Sequence, residues 1–240
     1  MADIRLESDL LNYIIKQGFQ PGDRLPTISE LQDPNNLGIS VSKVREQLEV
    51  ARALGLVDVR SKTGTHLKDY SFTPAVRLSL FFALATDLGY FELFSELRTH
   101  VEMAFWNEAV TKLTDADKVE LRSYVDAARA KLHGTRVRIP FEEHRAFHLT
   151  IFRHLENPFV IGLLEAYWDA YEAVELNRYA EYEYHTQVWD YHEAILTAIC
   201  EGDTNAAQKA FMQHTRLLHH QPRMQDMEHG AEIIESKVTE

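Results

Sequence analysis

Apolar positions in the first seventeen residues recur at helical spacing. Leu6, Leu10, Leu11, Tyr13, Ile14 and Ile15 form a stripe that ends at Gly18. Pro21-Gly22-Asp23 has turn chemistry. Thr27, with Glu30 three residues on, has the spacing of a capping box and predicts a second helix, which Gln32-Asp33-Pro34-Asn35-Asn36 breaks early. Leu37-Gly38-Ile39-Ser40 is a connector ending in a cap residue. Residues 41–54 then place Val44, Leu48, Ala51 and Leu54 on one helical face, and Gly55 stops that helix. Leu56-Val57-Asp58-Val59-Arg60 alternates as a strand does, Ser61-Lys62-Thr63-Gly64 reads as a hairpin turn, and Thr65-His66-Leu67 as a return strand. A helix, a helix–turn–helix and a hairpin in this order outline a winged helix.

Beyond residue 70 the pattern changes. Strand-like alternation stops, and helical periodicity predicts helices near 74–89, 92–112, 115–132, 139–155, 157–180, 184–200 and 204–219. Gly89, Asp115, Gly134, Pro140, Asn157-Pro158 and Gly202-Asp203 fall in the gaps. The expected fold class is therefore mainly α: an N-terminal winged helix-turn-helix followed by an all-helical bundle of about six or seven helices. Residues 221–240 are polar and weakly periodic and read as a flexible tail.

Charge divides the chain in the same place. The total is −12, yet residues 1–70 hold nine Lys/Arg against ten Asp/Glu, so −11 falls beyond them. Within the first part, residues 39–68 carry Lys43, Arg45, Arg52, Arg60, Lys62 and Lys68 against Glu46, Glu49 and Asp58, a local +3. Eleven of twelve histidines and all three tryptophans follow residue 70. The expected domains are 1–70 and 71–220, with the tail after them and a boundary near Asp69–Thr73. The single cysteine, Cys200, excludes an intrachain disulfide framework and a Cys-rich zinc module. No apolar run approaches the ~18 residues of a membrane span, and the N-terminus lacks the pattern of a secretory signal, so a cytoplasmic protein with no membrane partner is expected.

The stretches Pro21-Gly22-Asp23-Arg24-Leu25-Pro26, Ser29-Glu30-Leu31, Leu37-Gly38-Ile39-Ser40, Val44-Arg45-Glu46 and Leu54-Gly55-Leu56-Val57 together resemble the GntR family of bacterial transcriptional regulators in order and spacing. The resemblance implies binding to a double-stranded, pseudo-palindromic DNA operator by a homodimer. The residue chemistry agrees. A helix beginning at Ser40 can enter a major groove, its N-terminal amides with Ser40 or Ser42 can hold phosphate, and Lys43 and Arg45 supply charge, Arg45 being able to read guanine edges. Arg24, Thr27 and Ser29 in the first helix–turn–helix arm, and Lys62 with Gly64 at the wing tip, complete the candidate DNA-contacting set. Two family positions differ: Val41 follows the serine where Arg is usual, and Lys43 stands where Pro is common. Residues 32–36 also run about two residues longer than usual. A base-reading position has thus changed.

The second part resembles the FCD domain of the FadR-like GntR subfamily over roughly 72–220. The match rests on Glu96-Leu97-Arg98-Thr99-His100-Val101-Glu102, on Ala146-Phe147-His148 with Glu156-Asn157-Pro158, and on His192-x-x-Ile195-Leu196-x-Ala198-Ile199-x-x-Gly202-Asp203 continuing to Ala206 and His214. In metal-binding members an Asp four residues before the first His joins three histidines around a divalent ion. Here His144 holds that position. The chemistry also follows from the residues. His144 and His148 are i,i+4 on one helix, while His192 and His214 lie on consecutive helices joined by the Gly202-Asp203 turn. Neutral imidazoles suit Zn²⁺ first, and also Ni²⁺ or Cu²⁺. The candidate metal ligands are His144, His148, His192 and His214, with His185 a further entrant and His219, His220 and His229 read as solvated. Arg98 is the candidate reader of an effector carboxylate, with Glu102 beside it, although an Arg98–Glu102 pair at i,i+4 is the plainer alternative. The aromatic run Tyr167, Trp168, Tyr171, Tyr179, Tyr182, Tyr184 and Trp189 reads mainly as packing, with one or two rings free to line a pocket.

The expected function is a non-enzymatic, ligand-responsive regulator, a repressor by default, whose bundle binds a divalent metal and a small organic or sugar acid and thereby changes operator affinity. Two alternatives are a regulator that senses the metal itself and a metalloenzyme built on the histidine cluster.

Overall fold

The structure is a computed structural model that describes residues 4–174 and 182–217. The chain divides into two compact units, Met1–Ser79 and Leu80–Glu240.

In the first unit α1 (Asp9–Gln17) starts at Ser8, whose hydroxyl accepts the Leu11 N–H, and ends at Gly18 in the left-handed conformation. Helix α2 (Ile28–Leu31) carries the full capping box of Thr27 and Glu30. Helix α3 (Val41–Ala53) is capped by Ser40, which accepts the Lys43 N–H. Gln47 ties α3 to α1: its buried side-chain oxygen accepts the Leu10 N–H at 2.7 Å. Strands β1 (Val57–Arg60) and β2 (Gly64–Leu67) pair antiparallel, from Val57 opposite Leu67 to Arg60 opposite Gly64. The segment before α2 adds a third line of pairing, with Gly22 N–H to the Leu67 carbonyl (2.8 Å) and Leu25 N–H to the Thr65 carbonyl (2.8 Å). Leu10, Tyr13, Ile14, Leu25, Leu31, Val44, Ala51 and Val57 form the core. Gly55 is required where it stands. Its φ is +71°, and a Cβ there would lie 2.4 Å from the Pro74 ring.

Among the described residues beyond β2 every regular element is a helix: α4 (Thr73–Thr86), within which the division between the units falls, then α5 (Tyr90–Thr111), α6 (Asp115–His133), α7 (Phe141–Phe152), α8 (Pro158–Ala173), α9 (Tyr182–Glu201) and α10 (Thr204–Arg216). Caps mark the starts: Thr114 with Asp117 opens α6, Asn157 with Pro158 opens α8, and Asp203 after Gly202 opens α10. The second unit packs around Trp106, Leu121, Val125, Phe147, Ile151, Phe152, Ile195, Leu196 and Phe211. A second apolar group, around Leu80, Leu84, Phe91, Tyr167, Trp168 and Tyr171, adjoins α8. The aromatic run of the sequence therefore splits: Tyr167, Trp168, Tyr171 and Trp189 are core, Tyr182 is exposed, and Tyr179 lies outside the described residues. So do the tail 221–240 and the histidines at 219, 220 and 229. Among the described residues no helix is long and apolar enough to cross a membrane.

Candidate metal centre and nucleic-acid interface

Four histidines converge inside the bundle. His144 and His148 project from successive turns of α7, His192 from α9 and His214 from α10, and all four are buried. One ring nitrogen from each lies within 4.8 Å of the others. His148 Nε2 is 3.1 Å from His192 Nε2 and 3.2 Å from His214 Nε2, and His144 Nε2 is 3.4 Å from His214 Nε2. These spacings suit a shared ion: ligands ~2.0–2.1 Å from a tetrahedral Zn²⁺ stand about 3.4 Å from one another.

Electrostatics keeps the rings uncharged, as metal ligation requires. Burial holds His144, His148 and His192 well below the usual histidine range, and lowers His214 to about 3; the Arg98 charge pushes each of them further the same way. The Val188 carbonyl, one turn before His192, acts in the opposite direction on that ring. All four imidazoles are thus neutral at pH 7 and carry a lone pair. The donor set, its spacing and its lack of charge fit a divalent ion.

Arg98 and Glu102 sit against the cluster on α5, both buried. Arg98 Nε is 2.7 Å from Glu102 Oε2, so the i,i+4 pair forms. Arg98 Nη2 is also 2.8 Å from His148 Nδ1, and Glu102 Oε1 lies 3.6 Å from that same nitrogen. The guanidinium carbon is 4.5 Å from the Tyr167 ring centre and 5.5 Å from that of Trp168. Burial pushes the Glu102 carboxyl up to about 7 against the downward pull of Arg98. Sequence reasoning places Arg98 and Glu102 near a ligand. It misses the Arg98–His148 contact, since nothing local signals a pairing across fifty residues.

A shallow indentation, too tight to hold a water molecule, is lined by Ile139, Pro140, His144, Tyr184, His185, Val188 and Trp189. His144 alone of the four clustered histidines borders it, and His185, buried, stands beside it.

In the first unit the candidate DNA-contacting residues are distributed unevenly. Arg24, Thr27, Ser29, Ser40, Ser42, Lys43, Arg45 and Lys62 are exposed, and Gly64 is half-buried. The hydroxyls of Thr27 and Ser40 serve as helix caps. Lys43 forms an ion pair with Asp9 at 2.6 Å, Arg60 pairs with Asp58 at 2.7 Å, and Arg52 pairs with Glu49. Three of the six cations counted in the local +3 are therefore engaged by acids. Arg24 and Gly64 come together: Arg24 bridges to His66 in the backbone pairing, and a Cβ on Gly64 would lie 3.0 Å from Arg24 Nε. The bare wing turn is what lets Arg24 lie across it.

A winged helix-turn-helix followed by a helical bundle is the architecture of a class of DNA-binding regulators. Comparison with known proteins gives the family. The FCD domain family matches residues 93–217. The Uxu operon regulator of Haemophilus influenzae is 28% identical over 211 residues, covering 85% of this chain and 76% of the relative. The HTH-type transcriptional regulator LutR of Bacillus subtilis is 25% identical over 84% of this chain and 92% of its own length, and the Exu regulon transcriptional regulator of Escherichia coli is 26% identical over 88% and 80%. Among solved structures, Streptococcus agalactiae GntR superposes with a TM-score of 0.62 at 21% identity, covering 87% of this chain and 94% of that one, which is a likeness of fold. The chain belongs to the GntR family of DNA-binding transcriptional regulators, with an FCD domain, and is not an enzyme.

Proposed function

We propose that this regulator holds a divalent metal, with Zn²⁺ as the best fit and Ni²⁺ as a second candidate, on His144, His148, His192 and His214, and that a small organic or sugar acid bound at this centre changes the affinity of a homodimer for a pseudo-palindromic operator. One observation carries the reading: four buried, neutral imidazoles present ring nitrogens to a single point, with a guanidinium in contact with one of the rings. Packing four imidazole nitrogens together without an ion leaves buried polar atoms poorly satisfied, which a metal relieves. The ion supplies charge that favours an acid's oxygen at the centre. The chain's own residues do the rest. His144 and His185 border the shallow indentation beside the cluster, and Arg98 is the cation in contact with it. The relatives control the Uxu operon and the Exu regulon by name, and regulation of an operon is the expected setting here as well. DNA contacts are assigned to Arg24, Ser29, Ser42, Lys43, Arg45, Lys62 and the backbone at Gly64, with Thr27 and Ser40 acting through the helix starts they cap.

Two measurements test this. Metal analysis of protein purified without chelator or affinity tag should give about one ion per chain, and loss of that ion in a His148→Ala/His192→Ala double variant. Mobility shift on DNA from the gene's own upstream region should show binding that Arg45→Ala weakens and that an acid drawn from a panel of sugar and hydroxy acids alters. Absence of stoichiometric metal, or equal weak binding of both proteins to all DNA, overturns the reading. A metal-sensing regulator is the second reading, favoured by the all-imidazole set, which can close a tetrahedral ion without any effector atom. Zinc alone would then shift operator affinity in protein stripped with chelator.

A further inference from the structure

His148 sits between two partners that demand opposite things of it. Its Nδ1 lies 2.8 Å from Arg98 Nη2 and 3.6 Å from Glu102 Oε1, while its Nε2 faces His192 and His214. A guanidinium only donates, so the Arg98 contact needs a lone pair on Nδ1. A neutral imidazole has one proton, and with Nδ1 accepting, that proton is on Nε2, the atom that faces the metal centre. A metal on Nε2 needs the reverse: a lone pair on Nε2 and the proton on Nδ1, where it would point at the Arg98 N–H. The hydrogen bond seen here and ligation by His148 therefore exclude each other. Glu102 Oε1 is the waiting acceptor. It is buried, accepts no hydrogen bond from any described residue, and already borders Nδ1.

We propose that Arg98 and Glu102 are alternate partners of His148 Nδ1: Arg98 holds the ring in its Nε2–H form in the metal-free protein, and loading the metal requires Arg98 to let go so that Nδ1–H can donate to Glu102. The ring stays neutral throughout. Its proton leaves Nε2 and one is taken up at Nδ1 by exchange with water, with no change in net charge. The outcome is a carboxylate–histidine–metal line of the kind that orients ligating histidines. It also leaves the Arg98 Nη2 donor without its acceptor, and an anionic oxygen is the chemistry that would satisfy it. A small carboxylate taken by Arg98 and a metal taken by His148 would then favour each other, reciprocally. This rests on the metal reading above, and Arg98 is here a positioning residue for the centre.

The test is the ring tautomer. In full-length protein labelled with ¹⁵N-histidine and stripped with chelator, long-range ¹H–¹⁵N spectra should show His148, assigned by its loss in His148→Gln, as the Nε2–H tautomer. Arg98→Met should shift that signal toward Nδ1–H before any metal is added. One equivalent of zinc should convert the wild type to Nδ1–H. Zinc affinity, read by competition with a chelating dye, should be at least tenfold tighter in Arg98→Met. Removing the positive charge would tighten zinc by itself, so the tautomer decides. An Nδ1–H tautomer for His148 in the stripped wild type overturns the proposal even if zinc binds. If zinc leaves every histidine signal unmoved, the metal reading falls, while the stripped-state tautomer still decides whether Arg98 sets the ring. Should Arg98→Met fail to fold, the wild-type spectra with and without zinc are sufficient to decide.

Discussion

At the scale of single residues, the histidine cluster makes acid stability a direct readout of burial. In the unfolded chain each of the four titrates near the ordinary 6.5, whereas in the fold burial holds His214 at about 3 and the others well below 6.5. Below pH 6.5 the unfolded state therefore binds more protons, and stability falls as pH falls. Glu102 has the opposite sign. Its folded value of about 7 lies above its ordinary 4.5, so its contribution is complete below 4.5 and is lost as pH rises through 7. Between 4.5 and 6.5 it offsets one histidine of the four, leaving a net loss of at most ~4 kcal/mol per pH unit of acidification. Metal-stripped protein should show a lower urea midpoint at pH 5 than at pH 7, by several tenths of a molar or more; a midpoint that stays level or rises contradicts neutral burial. The residues behind this are partly legible in the sequence. His144 and His148 share a helix face by spacing alone, and the Gly202-Asp203 turn suggests that His192 and His214 return toward each other. What spacing does not carry is the hand that Arg98 lays on His148 from another helix, or the commitment of Lys43 to Asp9 on α1, since both depend on how elements pack.

Among the elements, helix ends are legible wherever a side chain terminates the pattern. Thr27 with Glu30 and Gly18 stand where capping chemistry puts them, and α10 begins after Gly202-Asp203. The first helix is shorter than its apolar stripe because Ser8 takes the cap, leaving Leu6 outside it. The third line of the wing, residues 22–25 beside β2, is not legible: a segment opened by Pro, Gly and Asp carries turn chemistry, and its pairing is made by a strand some forty residues on. Helix α6 offers the cleanest test of an end. Thr114 accepts the Asp117 N–H and Asp117 returns the bond to the Thr114 N–H at 2.7 Å, while His154 and Arg153 lean on the same carboxylate. Thr114→Ala should lower unfolding free energy by ~1 kcal/mol, seen as a lower urea midpoint with unchanged helical circular dichroism. No shift in midpoint would mean that the cap is redundant with the Asp117 contacts.

For the whole chain, the net charge of −12 opposes a DNA partner unless it is segregated, and the first unit keeps its cations near α3 and the wing. The structure sharpens which of them can act on a phosphate. Arg52 is held by Glu49 three residues earlier on the same helix, and Arg60 by Asp58 on the same strand, so both arrive already neutralised. Lys62 stands exposed at the wing turn, two residues before Gly64. A cation that replaces condensed counterions on a duplex contributes ~0.9 to the slope of log affinity against log salt, whatever the base sequence. An arginine that already has its counter-ion in the protein releases nothing when it reaches the duplex. Lys62→Ala should therefore weaken binding to any double-stranded DNA about equally and reduce the salt slope by ~1, whereas Arg52→Ala should leave the slope where it was. Fluorescence anisotropy with a nonspecific duplex across a salt series measures both, without knowledge of the operator. Equal slopes for Lys62→Ala and wild type would remove the wing tip from the DNA face. A reduced slope for Arg52→Ala would show that the Glu49 pair opens on the duplex and that the +3 of residues 39–68 acts as a whole.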